Sequence, residues 1–137
     1  MKDSSRAVVY GEEPELGAEE FLELARAGWP RDYWVAGAQR ALQETINLTA
    51  RVEGVLVGSA RILTDGYFFG TIPEVIVHPD YRGRGIGRRL MELAWERSPT
   101  GLFFGAQEGN EGFFEKLGYE RSMTSFAKRK PRPTSAS

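Results

Sequence analysis

The chain has 137 residues, 41% hydrophobic and 27% charged, with 18 basic against 19 acidic side chains and no cysteine. That length predicts one domain with a real core, and the composition is ordinary for a globular protein in water. The missing thiols exclude disulfides, thiolate metal sites and an acyl-cysteine intermediate, and no apolar run nears the roughly 20 residues of a membrane span.

In chain order, residues 7–10 read as a short first strand. Residues 18–27 carry Phe21, Leu22, Leu24 and Ala25 at helical spacing and stop at Gly28-Trp29-Pro30. Asp32 is placed to cap a second helix over residues 33–43, with Trp34, Ala38, Ala41 and Leu42 on one side. Alternating strands at 47–52 and 55–63 flank a Glu53-Gly54 hairpin turn, Asp65-Gly66 marks another turn, and 69–77 reads as the central strand. A helix over 85–96 turns Ile86, Leu90, Leu93 and Ala94 inward. Residues 102–106 read as a strand, 109–117 as a short helix, 119–127 as a last strand and 131–137 as a frayed end. The order β-α-α-β-β-β-α-β-α-β predicts an α/β fold with a mixed sheet flanked by helices. The expected layout is one domain over residues 1–128 and a basic, polar tail over 129–137.

The most informative stretch runs from Glu74 to Leu90. A β-branched run ends at Pro79, and a turn rich in glycine and arginine opens directly into a helix. Glycines let backbone N–H groups approach a ligand, and a helix N-terminus favours negative charge. With Arg82, Arg84, Arg88 and Arg89 around it, the expected ligand is rich in phosphate. A Walker loop is excluded, because Gly87 is followed by Arg88 and Arg89 instead of Lys and Ser or Thr. A dinucleotide fingerprint fits poorly: the glycines alternate as Gly83-Arg84-Gly85-Ile86-Gly87, past mid-chain.

The loop Arg82-x-x-Gly85-x-Gly87 resembles the Arg/Gln-x-x-Gly-x-Gly/Ala acetyl-CoA loop of the GNAT superfamily of N-acetyltransferases. Residues 110–119, Asn-Glu-Gly-Phe-Phe-Glu-Lys-Leu-Gly-Tyr, resemble the family's Phe-Tyr-x-Lys-x-Gly-Phe segment, and 57–66 resemble the strand pair before the core. The resemblance implies a sheet that splays beside its fourth strand, with the pantetheine of acetyl-CoA in the gap. It places the backbone of Val75, Ile76 and Val77 along pantetheine, with the Val77 N–H aimed at the thioester oxygen. It places Arg82, Gly83, Arg84, Gly85, Ile86, Gly87 and Arg88 around the pyrophosphate. Asn110 resembles the asparagine that binds the pantetheine arm, although it also reads as a helix cap. Phe113 packs either beside the cofactor or in the core.

Acyl transfer to an amine also needs a base. Glu74, just before the apolar run, is the candidate on the strand that lines the implied cleft; an edge carboxylate with an ordinary hydrogen bond is the alternative. His78, the only histidine, has no role in the family wording Val-His-Pro-Asp. Where the family often places a tyrosine acid this chain has Phe114, which leaves Tyr119, Tyr67, a water or no acid at all. Trp29, Arg31, Tyr33 and Trp34, between the first two helices, form the candidate acceptor site, with aromatics for an amine and Arg31 for a carboxylate. One histidine and no thiols leave no metal-ligand cluster.

Residues 1–50 hold 5 basic and 9 acidic groups and residues 51–137 hold 13 and 10, so the phosphate loop lies in the basic part; the acidic part suits a cationic amine or, equally, reads as solvated helix faces at Glu12, Glu13, Glu15, Glu19, Glu20 and Glu23. The function expected is transfer of an acetyl group from acetyl-CoA to a primary amine, on a small molecule or a protein, by direct attack in a ternary complex. A non-catalytic CoA-binding or sensing module is the rival. No nucleic-acid or membrane partner is expected, the assembly expected is a monomer or homodimer, and the location expected is the cytoplasm because no leader pattern opens the chain.

Overall fold

Two residues with positive φ, Glu53 at 49° and Gly54 at 81°, make the tight turn that the alternation around them predicts. The computed structural model describes residues 6–136; residues 1–5 of the expected domain and Ser137 of the expected tail lie outside the described residues. The turn joins β2 (Ile46–Val52) to β3 (Val55–Thr64) as an antiparallel pair, from Ile46 opposite Ile62 to Val52 opposite Val55. β1 (Val9–Glu12) adds antiparallel to the outer side of β2.

On its other side β3 meets a broken partner. The strand expected over 69–77 forms as β4 (Gly70–Thr71) and β5 (Val75–Val77), both antiparallel to β3. Leu63 faces Thr71 and Ala60 faces Val75. Between these pairs β3 has Arg61 and Ile62, while the partner has Ile72, Pro73 and Glu74, one residue more. The extra residue is a bulge, and Pro73 at it has no N–H to give a ladder.

Helices cover both faces of the sheet. α3 (Ile86–Arg97) packs Ile86, Leu90, Met91, Leu93 and Ala94 into one core with Leu48, Ala50, Ala60 and Ile62. Gly58 permits the close approach: a Cβ there would lie 2.9 Å from Ile86 Cγ2 and 3.2 Å from Leu90 Cδ1. α1 (Ala18–Gly28) and α2 (Val35–Gln43) form the second core on the opposite face, with Phe21, Leu22, Leu42, Leu56 and Ile76. Two polar ties hold that layer. Asn47, fully buried, donates to the Leu42 carbonyl at 2.8 Å and joins the end of α2 to β2. Arg51 bonds both oxygens of Glu13 and both of Glu20, and these bonds hold the two carboxyls below their usual range.

Three expectations are corrected. Asp32 does not cap α2: the helix starts at Val35, and extended Trp34 occupies the N-cap without a side-chain bond. Residues 102–106 make only one parallel bridge, Phe103 with Thr71, because β4 is two residues long and has nothing further to pair. Residues 119–127 form no strand; Met123 and Phe126 are exposed, so no apolar face is buried to repay the ordering of a ladder. α4 (Glu111–Lys116) forms where the short helix is expected. Among the described residues no helix is long and apolar enough to cross a membrane.

Candidate functional site

Strand alternation settles which groups of β5 are free. The N–H of His78 donates to the Val57 carbonyl and that of Arg61 to the Glu74 carbonyl, so 74, 76 and 78 are the positions that bond to β3. Val75 and Val77 fall between them, and their N–H groups point away from β3. Beyond that edge no ladder continues, since the 102–106 segment meets the sheet only at Thr71. The result is a cleft of about 660 Å³. Val75, Ile76 and Val77 form its floor, the loop from Arg82 to Arg88 forms one end, and Phe104, Asn110, Phe113 and Phe114 form the far wall.

At the loop end, Gly83 (φ 79°) and Gly85 (φ 78°) adopt the left-handed conformation that side chains resist. Gly85 is the N-cap of α3, and no side chain caps the helix. The N–H groups of its first turn therefore face the cleft without an intrahelical partner, at the positive end of the helix dipole. Arg82 Nε donates to the Val77 carbonyl at 3.3 Å, which ties the loop to β5. The four arginines divide. Arg82 and Arg88 line the cleft, Arg88 with its Nε 3.5 Å from Glu92 Oε1. The Arg84 guanidinium stands 5.0 Å from the Tyr81 ring centre, outside the cleft, and Arg89 pairs with Glu92 and Glu96 along the helix. Asn110 is the N-cap residue of α4 but makes no side-chain cap bond, so its amide is left to the cleft it lines.

A second cleft, about 630 Å³, lies between α1, α2 and the sheet. All four residues of the expected acceptor segment line it: Trp29, Arg31, Tyr33 and Trp34. The Trp34 ring lies across α2, where a Cβ at Gly37 would come within 2.5 Å of it, and Arg40 stacks on the same ring at 4.7 Å. The Tyr33 hydroxyl donates to the Trp29 carbonyl at 3.1 Å and braces the segment. Trp29, Pro73, Glu74, Ile76 and Gln107 belong to both clefts, so the two spaces meet at the bulge.

Glu74 stands at that junction. Alternation puts it on the Ile76 side of the sheet, facing α1, and Arg61 opposite it donates Nε and Nη2 to its two oxygens at 2.5 and 2.8 Å. Side-chain exposures of 15% for Arg61 and 20% for Glu74 mark a largely dry pair. The other candidates lie elsewhere. His78 Nδ1 accepts from the Asp80 N–H at 3.1 Å and caps the turn Pro79–Tyr81. Tyr119 packs edge-on to Phe104, 5.2 Å between centres, in contact with the α3 core and outside both cleft linings. Burial pushes its phenol pKa up, and Glu92 adds to the shift. Arg61, Arg40, Gln107 and Arg132 are cleft residues that sequence reasoning missed. Only Arg61 left a signal: it faces Glu74 once the hairpin register and the bulge are known.

The description "Acetyltransferase (GNAT) domain" belongs to the family model that matches residues 31–121. A mycothiol acetyltransferase of Amycolatopsis mediterranei is 43% identical over 57 residues, 41% of this chain and 19% of that protein. The regions matched in the first three curated relatives span 19% to 52% of their lengths. A GNAT-family acetyltransferase of Streptococcus pneumoniae superposes with a TM-score of 0.74 at 21% identity, over 90% of this chain and all of that one. An aminoglycoside N-acetyltransferase in complex with CoA superposes with a TM-score of 0.71 at 17% identity, over 92% and 96% of the two chains. At such identities the likeness speaks for the fold, and the family match over two thirds of the sequence speaks for descent. This chain belongs to the GNAT acetyltransferase family.

Proposed function

We propose that the protein transfers an acetyl group from acetyl-CoA to a primary amine by direct attack within a ternary complex. The observation that carries this reading is the meeting of the two clefts at Glu74, one bounded by free backbone N–H groups and the other by aromatic and cationic side chains. When bound, acetyl-CoA supplies a thioester: the amine nitrogen bonds to its carbonyl carbon, the C–S bond breaks, and the departing thiolate takes a proton from water. The first turn of α3 and the loop from Arg82 to Arg88 hold the phosphates through backbone N–H groups, and Arg82 and Arg88 add charge. Val75 and Val77 offer N–H groups to the pantetheine arm, with the Val77 N–H at the thioester oxygen. Asn110 and Phe113 close the far side.

Glu74 receives the proton that the amine must lose, through a bridging water. A carboxylate has about four lone-pair sites, and Arg61 uses two, so Glu74 keeps acceptor capacity while its orientation is fixed. With no cysteine in the chain and no serine elbow, an acyl-enzyme has no nucleophile to form on. Tyr119, packed against Phe104 and Phe114, is assigned to the core and not to proton delivery.

Two measurements test the proposal together. Acetyl-CoA at about 100 times its Kd stabilises by ~2.7 kcal/mol and raises Tm, while ATP and NAD at the same concentration do not. Adding an amine panel then releases free thiol. Stabilisation without release with any amine gives the protein to the sensing rival, which Phe114 in the usual tyrosine position favours. No selective shift with CoA compounds removes both readings.

A further inference from the structure

We infer that the acceptor amine carries an anionic group, a carboxylate or a phosphate, held by arginines of the second cleft; this rests on the acetyl-transfer reading above. The charged residues lining that cleft are Arg31, Arg40, Arg61 and Arg132 against a single acid, Glu74. Glu74 and Arg61 satisfy each other, so the pair presents no net charge. Arg31, Arg40 and Arg132 have no carboxylate within salt-bridge distance among the described residues.

None of the acidic residues described within the first fifty positions lines this space. Glu13 and Glu20 are committed to Arg51, Glu12 to Arg97, and none of the three lines the cleft. Of the two readings of the acidic part of the chain, a cationic-amine surround and faces with no part in the site, the lining of this cleft favours the second. An amine with no other charge finds a site that is cationic apart from one neutral pair, and a polycation finds repulsion.

Arg40 is also prepared for an anion. Its guanidinium carbon lies 4.7 Å from the centre of the Trp34 ring, a cation–π contact that restrains the exposed side chain while its N–H groups stay free for a two-oxygen ligand. Arg132 comes from the expected tail, which folds back far enough to line this cleft together with Pro133. The volume, about 630 Å³, suits a small molecule, with Trp29 and Tyr33 beside its apolar part and Glu74 toward the amine.

The test uses the full chain, acetyl-CoA and matched probes: β-alanine against β-alaninamide, O-phosphoethanolamine against ethanolamine, and spermidine as a polycation. The anionic member of at least one pair is expected to exceed its neutral partner in kcat/KM by about 10- to 100-fold, the worth of one charge-assisted bond. Which pair responds identifies carboxylate or phosphate. In the double variant Arg31→Gln/Arg40→Gln the ratio falls toward one through a higher KM for the anionic probe. Raising ionic strength to about 1 M erodes the same ratio in the unaltered protein, a readout independent of how the variant folds. Equal or better use of neutral amines or spermidine, or a ratio that survives in both the variant and high salt, overturns the anion assignment and leaves acetyl transfer standing. Absence of thiol release with every probe, while acetyl-CoA still stabilises the protein, overturns the transfer reading and this inference with it.

Discussion

At its open β5 edge the sheet presents backbone, and toward α1 and α2 it presents side chains. On the first side the ligand-facing groups are N–H groups of Val75, Val77 and the α3 N-terminus, released by strand alternation and by left-handed Gly83 and Gly85. On the second side they are Arg31, Arg40, Trp29, Tyr33 and the Arg61–Glu74 pair. Backbone recognition suits a cofactor that never changes, since main-chain groups are indifferent to most substitutions. Side-chain recognition suits an acceptor that differs from one relative to the next.

The largest effect that tests this contrast is expected at Gly85. Gly85→Val forces a β-branched residue to a φ near 78° but meets no atom within 4 Å, so folding survives while the loop N–H groups are misdirected. The Kd for acetyl-CoA rises about 100-fold by calorimetry, ~2.7 kcal/mol, and the unfolding free energy from urea melts falls by no more than the ~1–2 kcal/mol left-handed penalty. Unchanged affinity would break the claim that backbone does the holding there.

A smaller effect comes from the clamp that holds α1 and β1 on the acceptor side. Glu13 and Glu20 have folded pKa values below the ordinary 4.5, chiefly through hydrogen bonds from Arg51. Their stabilisation is complete above the unfolded value and disappears as pH falls through the lower folded values. Arg51→Met should therefore lie about 1 kcal/mol below the unaltered protein at pH 7, a modest figure because Glu20 is 43% exposed, and the gap should narrow as pH falls below 4.5 and close as it passes the lower folded values. Urea melts across that window decide it; a gap independent of pH assigns the clamp to packing.

The smallest effect sharpens the contrast from the other direction. The Arg84 side chain stacks on Tyr81 outside the cleft, so Arg84→Ala changes acetyl-CoA affinity less than about 3-fold in the same calorimetric titration, as for an exposed charge. A loss near that of Gly85→Val would put side chains back into the cofactor site.

What could be read from the amino acids follows the same division. The glycine loop, the α3 stripe and the Glu53-Gly54 turn were legible because each rests on local rules: positive φ, helical spacing and hairpin twist. The acceptor segment was legible as a cluster of aromatics, but its charge was not. Arg61 reaches Glu74 only across a register that one extra residue alters, and Arg132 arrives from the far end of the chain. Local charge counting pointed to an acidic surround, because nothing in residues 1–50 reveals that Glu13 and Glu20 face Arg51. The strand patterns at 102–106 and 119–127 were real patterns without partners: the first meets a two-residue neighbour, and the second has Met123 and Phe126 in water.

The extra residue at Ile72-Pro73-Glu74 sets a limit on how far this protein can be improved as a folded object. An engineer who deleted one residue there and replaced Pro73 would obtain a regular strand with unbroken pairing to β3, and the gain in stability would be expected. The same repair would leave Glu74 opposite Arg61 but straighten the kink at Pro73, a residue that lines both clefts, and with it the junction where the two spaces meet. On the acetyl-transfer reading proposed above, regularity and reactivity compete for one position in the chain, and the defect in the sheet is the workplace.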